Sequence, residues 1–362
     1  MKYGKTLTEL AMELDRQNKA KKDYLVDTRN MVMDAGPSHT QLSIRNDTTG
    51  QTLILGVNEV AHNQIGTTLG IPAKYYDKMR SDNPELLAQN VNSWFEKNPK
   101  NHLVRTLDGV ARAFLSDSYR RIDNYDIAQK AVLPVLSEIF DLMNPQNSFE
   151  VTDERLYLKV VNPRLTTEVV PGDIVQAGIL ITNSEVGLGS LTIQPLVYRL
   201  VCSNGMVVND AKVRKYHVGR KNEALEDFTL YSSETLMADD RALQLKIRDT
   251  VKMVAEQARF EKVVEMMRNA REAKITTTNI PQMVELAAPD FGYTKQEGQG
   301  ILDYLIRGGD LSLYGFANAT TRFAQDVSSY DRSTTLESIG YDIMGMSTAR
   351  WNKLNAAQVM VA

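Results

Sequence analysis

A chain of 362 residues, 43% hydrophobic and 24% charged, has the make-up of a globular protein with a sizeable core. Its formal net charge of −3 excludes a general polyanion binder, so any nucleic-acid contact must come from a local patch. One cysteine, Cys202, excludes an internal disulfide; with no ~20-residue apolar run and no secretory core, the expectation is a cytoplasmic protein with no membrane contact.

Leu7, Leu10, Ala11 and Leu14 recur at helical spacing, which predicts a helix over 6–22. It ends on Lys19, Lys21 and Lys22, where the helix dipole favours cations. Residues 24–39 read as irregular, closing at Gly36-Pro37. Residues 41–55 read as two strands about Asp47-Thr-Thr-Gly50. Residues 57–80 read as helix, turn, helix, with Asn58 opening the first and Gly70-Ile-Pro72 the second. That spacing admits a DNA-reading helix-turn-helix, although simple packing is the commoner meaning of such a pair. A further helix is expected from Pro84 to Phe95, then a hairpin from His102 to Phe114 with Asp108-Gly109 at its tip. A helix over 125–143 carries Pro134, where a kink or break is expected. Residues 149–161 read as one strand, with Leu156, Leu158 and Val160 on one face and Arg155, Tyr157 and Lys159 on the other.

The stretch from Asp173 to Lys221 is the centre of the chain. Two β-branched apolar runs, around Ile174–Ile181 and Leu191–Val201, flank the turn-rich Asn183-Ser-Glu-Val-Gly-Leu-Gly189 and predict an antiparallel hairpin. A second turn is expected at Ser203-Asn204-Gly205. The segment Lys212-Val-Arg-Lys-Tyr-His-Val-Gly-Arg-Lys221 follows, with five Lys or Arg in ten residues and no acid. A long helix is expected from about Glu234 to Lys274, since Leu243, Ile247, Val251, Val254 and Ala258 form one stripe. Shorter helices follow over 280–287, 294–308 and 312–327, and the tail from Asp331 is mixed, with Trp351 docked.

Several pieces together resemble a known family: Arg105-Thr-Leu-Asp-Gly-Val-Ala-Arg112, Ser116-Asp-Ser-Tyr-Arg120, Ile181-Thr-Asn-Ser184, Tyr198-Arg-Leu-Val-Cys-Ser-Asn-Gly205 and Leu313-Tyr-Gly-Phe-Ala-Asn-Ala319. The chain, over about 103–327, is similar to the phage- and plasmid-borne family catalogued as domain of unknown function 932. That resemblance implies a mobile-element origin and brings no established activity and no catalytic residues. The family often has Asp-Gly after its Asn-Ser, where this chain has Glu185-Val-Gly187. The β-β-β-α order of elements is also similar to that of Rad- and RecT-type single-strand annealing proteins, in which a bent sheet on a helix oligomerises around a basic DNA groove.

The basic segment is the leading site. Lys212, Arg214, Lys215, Arg220 and Lys221 supply cations that displace counterions, and Tyr216 offers a stacking face. The competing meaning is an edge strand protected by charge. Arg155, Tyr157 and Lys159, with Arg199, either line the same groove or form the polar outside of a half-exposed sheet. Arg105, Arg112, Arg120 and Arg121 with Tyr119 form a looser group, more readily explained by ion pairs to Asp108, Asp117 and Asp123. Cys202 reads as a structural thiol, and His39, His62, His102 and His217 share no metal-ligand spacing. No phosphate loop or dinucleotide fingerprint occurs, so neither a cofactor nor a metal is expected, and no catalytic residue is assigned.

The resulting expectation is an α+β fold, a mainly antiparallel sheet packed against long helices. It has a helical region with a small hairpin over 1–100, a core over 101–330 and a tail over 331–362. The expected function is non-enzymatic binding of single-stranded nucleic acid, DNA favoured, by a homo-oligomer that promotes annealing without ATP. The alternatives are a protein-binding, host-modulating role and a nucleic-acid enzyme whose acids, among Asp108, Asp153, Asp173 and Glu185, converge in three dimensions.

Overall fold

The structure is a computed structural model. It describes residues 1–36, 39–45, 50–119, 123–209 and 233–356, with backbone alone for 215–216, 233–237, 239–240 and 243–244. Two sheets, each with helices against it, make an α+β fold.

The first sheet has β1 (Lys22–Asp27), β2 (Met31–Asp34), β3 (Gln41–Arg45), β4 (Thr52–Val57), β5 (Asn101–Leu107) and β6 (Val110–Ser116), in the order β1-β5-β6-β4-β3-β2. The β5–β6 hairpin turns on Asp108 and Gly109, both at positive φ (51° and 78°), the conformation a two-residue hairpin of this twist requires. β4 pairs β6 in parallel; the other pairings are antiparallel. β1 and β2 lie at opposite edges, yet a three-residue 3₁₀ turn (Thr28–Asn30) joins them. So short a link forces the sheet to curl until its edges approach. Helices α2 (Glu59–Thr68), α3 (Ala73–Asp82) and α4 (Pro84–Lys97) cover one face through Ile65, Tyr76, Leu87 and Phe95. Residues 24–39, expected to be irregular, thus hold two edge strands, and the 101–116 hairpin belongs to this sheet and not to the second one.

The second sheet runs β11-β10-β9-β8-β7, with β12 added on β10. Its strands are β7 (Ser148–Val151), β8 (Leu156–Glu168), β9 (Ile174–Asn183), β10 (Leu191–Arg199), β11 (Asn204–Val207) and β12 (Lys215–Tyr216). The expected single strand over 149–161 is a hairpin, because Thr152 to Arg155 turn back: the Thr152 N–H donates to the Arg155 carbonyl at 2.9 Å. Asn204 and Gly205 belong to β11, and the turn before them uses Ser203 at φ 51°. Leu158, Val160, Ile179, Ile181 and Ile193 pack with α1 (Leu7–Ala20), with a helix built of α5 (Asn124–Asp126), a π-helical stretch (Ile127–Val132) and α6 (Leu133–Ile139), and with Ile247 and Val251 of α7 (Ser233–Val254). The π-helical register immediately precedes Pro134, whose ring would strike the carbonyl of an ordinary turn.

The single long helix expected after residue 233 is two. α7 stops at Val254 and α8 (Gln257–Glu272) begins a new stripe of Phe260, Val264 and Met267, while Ala258 is exposed. α9 (Ile280–Phe291), α10 (Lys295–Gly308), α11 (Leu313–Phe323), α12 (Tyr330–Met344) and α13 (Thr348–Asn355) complete the main core with Val175, Val197 and Met206. The segment expected to be a mixed tail therefore supplies core helices, and Trp351 is docked in them. Among the described residues no helix is long and apolar enough to cross a membrane.

Candidate functional site

The strand face expected to line a basic groove is covered. Lys159 on β8 is fully buried, its ammonium 2.6 Å from Glu337 of α12 and 4.5 Å from the centre of the Tyr330 ring. Burial lowers the Lys159 pKa and the Glu337 carboxylate opposes that shift. The buried Tyr157 hydroxyl donates to Asp331 at 2.6 Å. Arg199 donates to Asp173 at 2.5 Å and lies over Tyr314, whose hydroxyl also donates to Asp173, at 2.9 Å. Arg155, half-buried, donates to the Leu188 carbonyl at 2.6 Å. These four residues do not form a polyanion-binding surface. The alternation along β8 was read as a half-exposed sheet, but α12 lies on the polar side, so a cation there must carry a carboxylate partner inside.

A second set of cations closes the junction between the sheets. Arg105, wholly buried, donates to Asp23 at 2.9 Å, to Asp123 at 2.5 Å and to the Glu185 carbonyl at 2.9 Å. Burial works against its charge, and the two carboxylates more than restore it, raising its pKa. Arg112 pairs with the buried Glu185 carboxylate, which also accepts from the Asn124 backbone N–H. Asn183 donates to the Asn124 side chain at 2.8 Å, and Lys21 reaches Asp123 at 2.5 Å. Burial pushes the Asp123 carboxyl up, but Arg105 and Lys21 hold it below the usual range. Gln64 clasps the two halves, accepting from Phe114 N–H at 2.7 Å and donating to the Val186 carbonyl at 2.6 Å. Gly187 sits at φ 80°, and a Cβ there would lie 2.6 Å from Leu115. The positive φ disfavours any side chain, and one would also have to push the Leu115 methyl aside.

The expected ion pairing of Arg105 and Arg112 is therefore present: Asp123 is a partner the sequence indicated, and Asp23 and Glu185 are not. Asp108 instead meets Arg16 at 2.8 Å. Asp108, Asp173 and Glu185 thus each answer a different arginine, and do not present one shared acidic centre. Among the described residues no three His, Cys, Asp or Glu side chains gather as a metal site requires.

Residues 113–356, most of the chain, match the family model described as Domain of unknown function (DUF932). The chain belongs to this family. No curated protein and no solved structure matches it, so the Rad- and RecT-like order of elements has no structural counterpart here. The DUF932 portion begins within β6, so the first sheet lies almost wholly outside it. The junction thus pairs Asp23, Arg105 and Arg112 from outside the portion with Asp123, Asn124 and Glu185 from inside it.

Within the DUF932 portion two of the recognised motifs meet where Arg199 lies over Tyr314. Asn204 donates to Thr321, and the Arg199 guanidinium donates to the half-buried Cys202 sulfur at 3.3 Å. Of the basic segment, Lys215 and Tyr216 form β12, in register with Thr192 and Leu191 of β10. Lys212, Arg214, His217, Arg220 and Lys221 lie outside the described residues, as do Arg120 and Arg121.

Proposed function

We propose that this DUF932 protein captures single-stranded nucleic acid, DNA favoured, through residues 212–221, without a nucleotide cofactor. The supporting observation is the pairing of β12 on β10, which ties a segment of five cations and no acid to the edge of the large sheet. Lys212, Arg214, Lys215, Arg220 and Lys221 neutralise phosphates, and Tyr216 offers a face to a base. Counterion release supplies the affinity, and annealing follows when several copies hold strands extended side by side. Arg105, Arg112, Lys159 and Arg199, engaged by carboxylates, are left out of this reading.

A salt titration tests it. Each phosphate contact to a single strand contributes roughly −0.7 to the slope of log affinity against log salt, so removing three cations should flatten the slope by about 2. Lys212→Ala, Arg214→Ala and Lys215→Ala together should weaken oligonucleotide binding in gel shifts at low salt and leave the melting temperature nearly unchanged. Equal binding and an equal slope in the triple variant reject the proposal.

A further inference from the structure

Outside the DUF932 portion, a groove of about 600 Å³ opens where α2 and α4 end against β5. Its chemistry is set by Trp94, Lys97, Lys100 and His102. Trp94 is 36% exposed, and the Lys97 ammonium lies 4.9 Å from its ring centre. Lys97 and Lys100 are exposed, and among the described residues neither ammonium meets a carboxylate. The backbone of Lys100 is pinned: its carbonyl accepts from Thr28 N–H at 3.0 Å and its N–H donates to the Thr28 hydroxyl at 3.2 Å.

His102 is buried, stacked on Phe114 at 4.3 Å, with Nδ1 3.1 Å from the Leu115 carbonyl. Burial lowers its pKa, so the ring is neutral at pH 7. The proton then sits on Nδ1, facing the carbonyl, and Nε2 is left as an acceptor. The groove therefore offers an indole and two cations beside a neutral imidazole.

Charge decides the class of ligand. Leu69 and Asn98, the C-caps of α2 and α4, also line the groove. Each helix C-terminus carries roughly half a negative charge, so two ammoniums leave an excess of about one positive charge. One phosphodiester carries one negative charge, whereas a free nucleoside triphosphate carries several. We infer that this groove is a second contact for single-stranded nucleic acid, taking one base on Trp94 and the adjoining phosphodiester between Lys97 and Lys100. The incoming base takes over the indole contact, and Lys97, on its flexible stem, turns to the phosphate. The inference rests on the reading above for its ligand class and shares none of its residues.

The chain has two tryptophans, and Trp351 is buried at 5% exposure, so quenching by a ligand stacked in the groove reports on Trp94 while Trp351 supplies a constant background. A deoxythymidine tetranucleotide titrated into the full chain should quench that emission, with dTTP and inorganic phosphate much weaker. Lys97→Ala with Lys100→Ala should weaken the tetranucleotide about tenfold, the effect of losing about 1.4 kcal/mol of binding. Trp94→Phe should abolish the signal with the far-UV spectrum unchanged, and the triple variant of the 212–221 segment should retain the quench. Unchanged emission up to millimolar tetranucleotide overturns the inference, as does equal quenching in the Lys97/Lys100 variant. Quenching by dTTP as strong as by the tetranucleotide overturns the strand assignment, and loss of quench in the segment variant shows the groove to be a bystander.

Discussion

The two sheets differ in how much of each is closed to water. The first is covered by α2–α4 on one face, and its other face is closed only at β5 and β6; Val32 and Ile54 are exposed at 46% and 61%, with β2 alternating buried and exposed. The second is covered on both faces, and β8 buries six consecutive residues from Leu156 to Val161. Where one face is open, as at β2 and β4, polar side chains can go to water. Where both faces are closed they cannot, so in the second sheet Lys159 takes Glu337 and Arg199 takes Asp173 into the interior, as Arg105 and Arg112 take Asp23, Asp123 and Glu185 at the closed end of the first. Lys159 and Arg199 are thus parts of the second sheet's packing, whereas Lys97 and Lys100 at the margin of the first meet no carboxylate among the described residues.

The contrast breaks most directly at Lys159. Removing one partner leaves the other charged and buried, which costs about 3–5 kcal/mol. Glu337→Ala should therefore lower the unfolding free energy by that amount in a denaturant titration. Lys159→Met with Glu337→Leu should recover most of it, because a well-packed apolar pair is often as stable as a buried ion pair. If Glu337→Ala costs no more than a surface change, α12 does not seal that face and the contrast fails. A smaller effect is expected at the junction. Glu185→Gln keeps the shape but removes the charge that meets Arg112 and the Asn124 N–H, a loss of about 2–3 kcal/mol. Its signature is local: hydrogen exchange should quicken across residues 183–189 and in β6 before it changes in α9–α13.

This contrast also explains what could be read in the chain beforehand. The 101–116 hairpin was legible because Asp108-Gly109 states its own turn, and the β9–β10 hairpin because two apolar runs flank a glycine-bearing gap. Helices α9–α11 carry their caps in plain view: Asn279, Thr294 and Ser312 each accept a backbone N–H of the first turn. β1 was not legible, since Lys22, Asp23 and Asp27 dilute its apolar content and its stability comes from pairing with β5. Nor was the α7–α8 break, because Ala255-Glu256 holds neither glycine nor proline. Lys159 was misplaced for a deeper reason. Alternation tells which residues share a face, and not whether that face is covered; the covering residue, Glu337, lies 178 positions away. Glu185 was likewise obscure, its partner Arg112 being 73 residues earlier.

The covered face of the first sheet handles its own buried polar group without a counter-charge, and acid should expose that difference. His62 is 4% exposed, with Nδ1 2.9 Å from the Tyr76 hydroxyl and Nε2 3.0 Å from the Thr40 hydroxyl. Burial, aided by the nearby Arg80 charge, lowers its pKa from 6.5 to about 4. The folded protein thus binds this proton less readily than the unfolded chain does. The stabilisation is complete above pH 6.5, and is lost as pH falls through 6.5 towards 4, because the unfolded state gains the proton first. At pH 5 the loss relative to pH 8 is about 2 kcal/mol. His62→Gln keeps a hydrogen-bonding side chain and removes the titration, so the difference in unfolding free energy between pH 8 and pH 5 should shrink by about that much against the parent protein. An unchanged difference would mean that His62 is protonated alike in both states, and that this face tolerates a bare cation where the second sheet requires a pair.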